Sequence, residues 1–341
     1  MNADKTYKYF IGHPEDILIR VSDLAKVSKL FDKTFIVTDE AHCVIEWGDD
    51  FRPDYKFIAD LHVHLPSCTF LACTATASKE AQKEITTRLG MRNPVFIRNI
   101  PIINNNVCLL LNKRIPSTGG HHSAKDAYNY VYKPLLLELF ALGWNFPLTI
   151  VYCKLQWCAY GVELSKRLLG PSFTLLGDEA QEHFCVVQYH AQQPREVNER
   201  IIQMMSAEKS PIRLVFATVA LGMGSDLRFV ERVYHAGVPS SLEAYTQEIG
   251  RAGRSGGQCE AKMFFNNTDI AQRHVPQSLK DFCQQEMCRR ELISEYFNSP
   301  ITHAQLCCDI RLGPHYSVGD GSWKCVNGER CHHKTSILLY V

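Results

Sequence analysis

The chain has 341 residues, enough for two or three domains. At 45% hydrophobic and 21% charged it can bury cores and is not a disordered polyelectrolyte. Lys+Arg 37 against Asp+Glu 36 leaves a net charge near +1, so any nucleic-acid binding needs a local groove rather than a general basic field. The richest apolar stretch, Pro134 to Trp144, is short and interrupted by Glu138, which argues against a membrane span. The opening MNADKTYKYF lacks a signal peptide's apolar core. Most of the 14 cysteines stand singly in apolar segments, as Cys43, Cys73 and Cys153 do. They read as reduced, buried thiols of an intracellular protein, with one cluster near the C-terminus.

Three blocks follow in chain order. From Lys8 to about Asn99, short apolar runs alternate with helix-like stretches. Phe35-Ile36-Val37 ends at Thr38-Asp39-Glu40, and Thr69 to Cys73 ends at Thr74-Ala75-Thr76. Ser78 reads as the N-cap of a helix to Leu89 that Gly90 stops. Strand, polar loop and helix in repetition predict a parallel α/β sheet, with ligands at the strand C-terminal ends. From Pro101 to Pro147 the pattern weakens to a loop around Gly119-Gly120 and a helix over Asp126 to Leu142, read as a connection. A second α/β block has strands at Leu148–Cys153, Cys185–Tyr189, Arg213–Ala217 and Arg232–Ala236, with a helix over Pro194–Met205. The last seventy or so residues carry scattered Cys and His and few apolar runs.

Asp39-Glu40-Ala41-His42 follows a strand directly. Two carboxylates there suit a nucleotide–Mg²⁺ site, one holding the metal through water while the other orients or deprotonates an attacking water. In Gln247-Glu248-Ile249-Gly250-Arg251-Ala252-Gly253-Arg254, two arginines three apart place permanent cations on one side of a turn or helix start. Guanidinium suits the charge that develops on a transferred phosphoryl group. Thr74-Ala75-Thr76, Ala217-Thr218-Val219-Ala220 and Gly222-Met223-Gly224-Ser225-Asp226 each follow a strand and belong on the same rim of their sheet. The remaining histidines His62, His64, His121 and His122 read as surface or loop residues, and Lys8, Lys26, Lys29 and Lys33 as a solvated face.

In this order the segments resemble the RecQ-like DNA helicases of helicase superfamily 2. Asp39 to Cys43 looks like motif II, Thr74 to Thr76 like motif III, Ile150 to Cys153 like motif IV, Ala217 to Asp226 like motif V and Tyr245 to Arg254 like motif VI. Tyr189-His190-Ala191 is similar to the family's YHA, and Phe10 to Glu15 to the segment before motif II. The segment Glu46 to Tyr55 resembles the family's aromatic-rich loop, which links single-stranded DNA binding to ATP hydrolysis. Trp47 and Phe51 offer faces for base stacking, worth ~1–3 kcal/mol per base, and Arg52 a cation. Family members usually carry His where this chain has Asp49, whose carboxylate repels phosphate and would weaken coupling.

The resemblance implies an α/β fold of two RecA-like parallel-sheet domains, the first incomplete, and a small cysteine-containing C-terminal module. The expected bounds are 1–100, a connecting segment 101–147, a second domain 148–270, and a degenerate zinc-binding-like module with its tail at 271–341. It further implies ATP with Mg²⁺ as cofactors and 3′-to-5′ unwinding of single-stranded and forked DNA, in repair and recombination. Asp39 would hold Mg²⁺, Glu40 activate the water, and Gln247, Arg251 and Arg254 contact the γ-phosphate. His42, Thr74, Thr76, Gly224 and Asp226 would serve nucleotide binding or coupling, and Trp47, Phe51, Arg52 and Thr218 would engage DNA. Nuclear residence is implied by the family alone, with the cytoplasm otherwise, and no membrane role is expected.

Two departures stand out. No Gly-Lys dipeptide occurs in the sequence, so the family's P-loop would lie before Met1. The expectation is an incomplete gene model of a helicase, or alternatively a non-catalytic DNA- or protein-binding remnant. In the tail, Cys288 and Cys308 match two zinc-ligand positions of the family, whereas the other two fall near Gln305 and Arg311. Cys307 and His303 offer substitutes, and Cys325, Cys331, His332 or His333 could approach from the tail. A degraded site with free thiols stays equally open.

Overall fold

A computed structural model describes residues 9–46, 53–97, 101–116, 123–176, 182–222, 226–301, 304 and 306–312. It divides into two compact units, the first essentially residues 1–99 and the second running from Ile100.

In the first unit, β1 (Phe35–Thr38) pairs in parallel with β2 (Thr69–Ala72), Thr38 opposite Ala72. Helices α1 (Pro14–Ile19), α2 (Val21–Ser28), α3 (Cys43–Glu46), α4 (Leu61–His64) and α5 (Lys79–Arg88) accompany them. Pro14 opens α1, where its missing N–H costs nothing. α5 starts where Ser78 Oγ accepts from Ala81 N and stops at Gly90, whose φ of +63° suits only glycine without strain. The core gathers Ala41, Cys43 and Val44 with Leu61, Leu65, Ile85 and Leu89. Both strands expose alternate residues, so Phe35, Val37 and Leu71 face out.

The second unit is built on β3 (Val107–Lys113), β4 (Thr149–Tyr152), a hairpin of β5 (Thr174–Leu176) and β6 (Glu182–Phe184), β7 (Val186–Tyr189), β8 (Leu214–Ala217), β9 (Arg232–Ala236) and β10 (Cys259–Phe265). Six of these form one parallel sheet in the order β3-β10-β9-β4-β8-β7. β4, β8 and β9 are buried at every residue, as a parallel sheet covered on both faces requires. The helices are α6 (Ala124–Leu142), α7 (Leu155–Leu169), α8 (Arg195–Met205), α9 (Leu242–Ile249), α10 (Asn267–Ile270), α11 (Gln277–Gln284), α12 (Arg289–Phe297) and α13 (Asp309–Leu312). Tyr132, Leu136 and Leu139 of α6 join Cys158 and Leu164 of α7, Val151 and Phe216 in the main core. α6 begins in a capping box, Ser123 with Asp126, one turn before its first buried side chains.

The segment 101–147 is therefore no mere connection. It supplies the edge strand β3, paired with β10 from Cys259 opposite Val107 to Phe265 opposite Lys113, and a core helix. β10 itself escaped the sequence reading because polar residues interrupt it. Glu260, 1% exposed, accepts from Tyr234 Oη and lies 2.8 Å from Lys262 Nζ, so a buried carboxylate sits in an interior strand with a partly exposed lysine beside it. Among the described residues no helix is long and apolar enough to cross a membrane.

Candidate functional site

In the first unit, the end of β1 carries Asp39 and Glu40, both exposed. Glu40 sits at φ +46°, a left-handed conformation uncommon for a residue with a Cβ, and its N–H donates to Asp39 Oδ1 at 2.9 Å. Ala41 N–H donates to Cys73 O at 2.8 Å, which ties this turn to the end of β2. His42 Nδ1 then lies 3.1 Å from Thr74 Oγ1 and 3.3 Å from Glu40 Oε2. Thr74 Oγ1 in turn accepts from Thr76 N–H at 3.4 Å. Five residues singled out from the sequence thus form one connected set: Asp39, Glu40, His42, Thr74 and Thr76. Two adjacent exposed carboxylates fit a hydrated Mg²⁺, which prefers oxygen donors and keeps several waters.

In the second unit the strand ends form the other rim. Thr218 follows β8; its N–H donates to Tyr189 O at 3.1 Å and its Oγ1 accepts from Ala220 N–H at 3.4 Å. Asp226 accepts from Arg228 Nε at 2.7 Å and from Arg254 Nη1 at 3.2 Å. The Arg228 bond, with Arg254 adding to it, holds the Asp226 carboxyl below the usual carboxylate range. Gln247 lies half-buried on α9, whereas Arg251, just beyond it, is buried. Trp47, Phe51, Arg52 and Gly224 lie outside the described residues.

Two supports of this rim were not read from the sequence. His235, at the end of β9, has Nε2 2.7 Å from Glu248 Oε2, and both are buried, so α9 is pinned to the sheet between Gln247 and Arg251. Asn106 donates its amide to Gly253 O at 2.8 Å and Gly257 O at 2.6 Å. At Gly253, φ is +78° and a Cβ would come within 2.7 Å of Asn106 Nδ2, so this turn admits only glycine. Neither partner is near in sequence, and no local pattern announces them. His62 is also less idle than expected, stacking on Phe70 at 3.5 Å and reaching Leu89 O at 2.9 Å.

The cysteine cluster is drawn together and buried. Cys288 Sγ is 3.4 Å from Cys307 Sγ and 3.8 Å from Cys308 Sγ. Cys308 accepts from the Cys307 thiol and from backbone N–H groups of Arg311 and Arg289, which pull its pKa down to about 5, and the same contact pushes Cys307 up. The segment is fastened to β3, where Leu109 N–H donates to Cys307 O at 3.1 Å. Structural zinc takes four N or S ligands, yet the described residues supply three sulfurs. Arg311, near a ligand position that the resemblance implied, donates to Glu291 and to Cys288. The donor set does not fit a closed four-thiolate centre; Gln305, His303, Cys325, Cys331, His332 and His333 lie outside the described residues.

Residues 1–85 match the family model for DEAD/DEAH box helicases, and residues 149–256 that for the helicase conserved C-terminal domain. The chain is 29% identical over 298 residues to the ATP-dependent DNA helicase RecQ of Haemophilus influenzae, covering 82% of this chain and 43% of that protein. It is 30% identical to the ATP-dependent helicase SGS1 of Saccharomyces cerevisiae (80% of this chain, 18% of that protein), and 28% identical to the RecQ-like DNA helicase BLM of Xenopus laevis (91% and 23%). The chain thus spans less than half the length of these relatives. In fold it resembles Mss116p bound to ssRNA and AMP-PNP, at TM-score 0.54 and 16% identity, covering 83% of this chain and 54% of that one. It also resembles the Mycobacterium smegmatis helicase Lhr bound to ssDNA and AMP-PNP, at 0.53 and 15%, covering 80% and 33%. The two family-model matches and the RecQ relatives together place the chain in the RecQ-like family of helicase superfamily 2.

Proposed function

We propose that this protein acts in ATP-driven 3′-to-5′ unwinding of DNA. The observation that carries the reading is the connected set Glu40–His42–Thr74, a contiguous path from a water-activating carboxylate to the neighbouring strand end. Asp39 would hold Mg²⁺, and Glu40 would take the proton of the attacking water. Gln247, Arg251 and Arg254 meet the γ-phosphate, with Arg254 exchanging its Asp226 partner for phosphate oxygens. Trp47, Phe51, Arg52 and Thr218 engage single-stranded DNA, while Thr74, Thr76 and Thr218 relay closure. A role on forked DNA in repair, and a nuclear location, rest on the family likeness alone.

The test is DNA-stimulated ATP hydrolysis by the purified chain. Glu40→Gln is expected to lower it by ~10²-fold or more, with the far-UV circular dichroism unchanged because Glu40 is exposed. A second reading is favoured by one observation, the lack of any Gly-Lys dipeptide. On that reading the chain binds DNA in a salt-sensitive manner without hydrolysing ATP. Hydrolysis that survives Glu40→Gln intact would sink the site assignment.

A further inference from the structure

We propose that His235 is a positioning residue for Arg251, acting through the buried Glu248 carboxylate to set where the arginine's guanidinium stands. This role rests on the reading in which Arg251 meets the γ-phosphate, and supplies what holds it there. The two arginines of the turn are held in different ways. Arg254 has a side chain 36% exposed and pairs with Asp226, itself exposed. Arg251 is 6% exposed, so the interior of the protein fixes its course. It follows Glu248 by three residues, which puts both side chains on one side of the turn, and its N–H donates to Glu248 O at 3.2 Å.

His235 offers Glu248 a rigid anchor. It stands on β9, an interior strand, opposite Tyr152 of β4 on one side and Met263 of β10 on the other. Its Nε2 lies 2.7 Å from Glu248 Oε2, and both side chains are buried. A carboxylate accepts, so Nε2 donates. Nε2 is thus the atom through which the ring acts, whereas Nδ1 is buried with no hydrogen-bond partner among the described residues. Two buried tyrosines flank the ring, Tyr152 stacked at 5.3 Å and Tyr245 tilted at 5.1 Å.

The charges of the arginine turn converge on the same spot. Burial pushes the Tyr152 hydroxyl up, the Glu248 carboxylate adds to the rise, and Arg251 and Arg254 oppose it. All three charged groups therefore lie within electrostatic reach of the end of β4. A staple for the fold would not need His235, because α9 is already anchored by buried Leu242 and Ile249 and by Tyr245 against Phe282. What His235 adds is direction. It holds one carboxylate oxygen in place, and a guanidinium beside a carboxylate that can swing loses its orientation even where the fold persists. At a site that works by positioning, a displacement of about 1 Å can lower the rate by ~10²-fold.

Two amide substitutions separate the ring nitrogens. A glutamine nitrogen reaches the place of Nε2, whereas an asparagine nitrogen reaches only that of Nδ1. In the full chain carrying isotope-labelled arginine, the Nε–H resonance of Arg251 is identified by its loss in Arg251→Lys. Its solvent exchange is expected to quicken about tenfold or more in His235→Asn and to stay near the unaltered rate in His235→Gln. Arg213, whose Nε donates to Ile212 O at the opposite end of the sheet, should be unmoved in both. Equal quickening at Arg213 would mark a loosened fold and overturn the proposal, as would equal rates in the two variants or an Arg251 resonance untouched by His235→Asn. DNA-stimulated ATP hydrolysis gives a second readout. His235→Asn should lower kcat by ~10²-fold in the unaltered background but nothing further on top of Arg251→Ala, and additive losses would overturn the proposal. An unaltered chain that hydrolyses no ATP would sink the reading of Arg251 as a γ-phosphate contact, while the resonance measurement still decides the role of His235.

Discussion

Arg114 and Asp269 form an ion pair at 2.9 Å whose residues are 7% and 9% exposed. A buried pair contributes little net stability compared with apolar residues of the same volume, but losing one member strands the other charge at a cost of ~3–5 kcal/mol. Here the remaining carboxylate still accepts from Asn266 N–H, so the lower end of that range is expected. Arg114→Ala should therefore lower the urea midpoint of the second unit by an amount equivalent to about 3 kcal/mol, and Arg114→Met should recover part of it. A second residue-scale expectation concerns Asn106. Its amide closes the arginine turn, so Asn106→Ala should reduce nucleotide-dependent activity more than it reduces stability, measured as ATP hydrolysis against thermal unfolding. Residues of this kind were invisible in the sequence for a plain reason. Asp39 and Glu40 are adjacent and follow an apolar run, so their meaning is local. Arg114 and Asp269 stand 155 positions apart, and Asn106 and Gly253 stand 147 apart; nothing within a reading window links either pair.

Elements behaved similarly. α5 was legible end to end because Ser78 and Gly90 state its limits in the local code of caps. β10 was not, because its burial of Glu260 depends on Tyr234 from another strand. Helix α7 offers a contest between local and tertiary terms. Gly161 lies inside it, and alanine there would gain about 1 kcal/mol of helix propensity. A Cβ at this position would stand 2.8 Å from three ring atoms of Phe216 on β8, however, and overpacking of this kind costs ~1–3 kcal/mol. Packing should win. Gly161→Ala is expected to destabilise the second unit by about 1 kcal/mol in urea unfolding, and Gly161→Ala with Phe216→Leu should regain most of it.

At the scale of the molecule, the two units differ in how far each supports itself. The second has a six-stranded sheet with a continuous core and a cysteine segment sealed onto its edge. A fragment from Pro101 onward is expected to unfold cooperatively, with intrinsic fluorescence and circular dichroism changing together. The first has two strands among its described residues, and exposes Phe35, Val37 and Leu71. Two-stranded sheets are marginal alone in water. Residues 1–99 in isolation should bind a hydrophobic dye strongly and aggregate at micromolar concentration.

The pairing of β3 with β10 also sets a timetable for biosynthesis. Asn106 reaches Gly257, 151 positions later, and the strand after it waits for the same stretch of chain. At ribosomal speeds of ~5–20 residues per second, that delay is on the order of ten to thirty seconds. Throughout it the nascent Val107–Leu111 run has no strand to lie against, making it the natural station for a holding chaperone. A ribosome that stalls before Cys259 would release a chain with that edge permanently open.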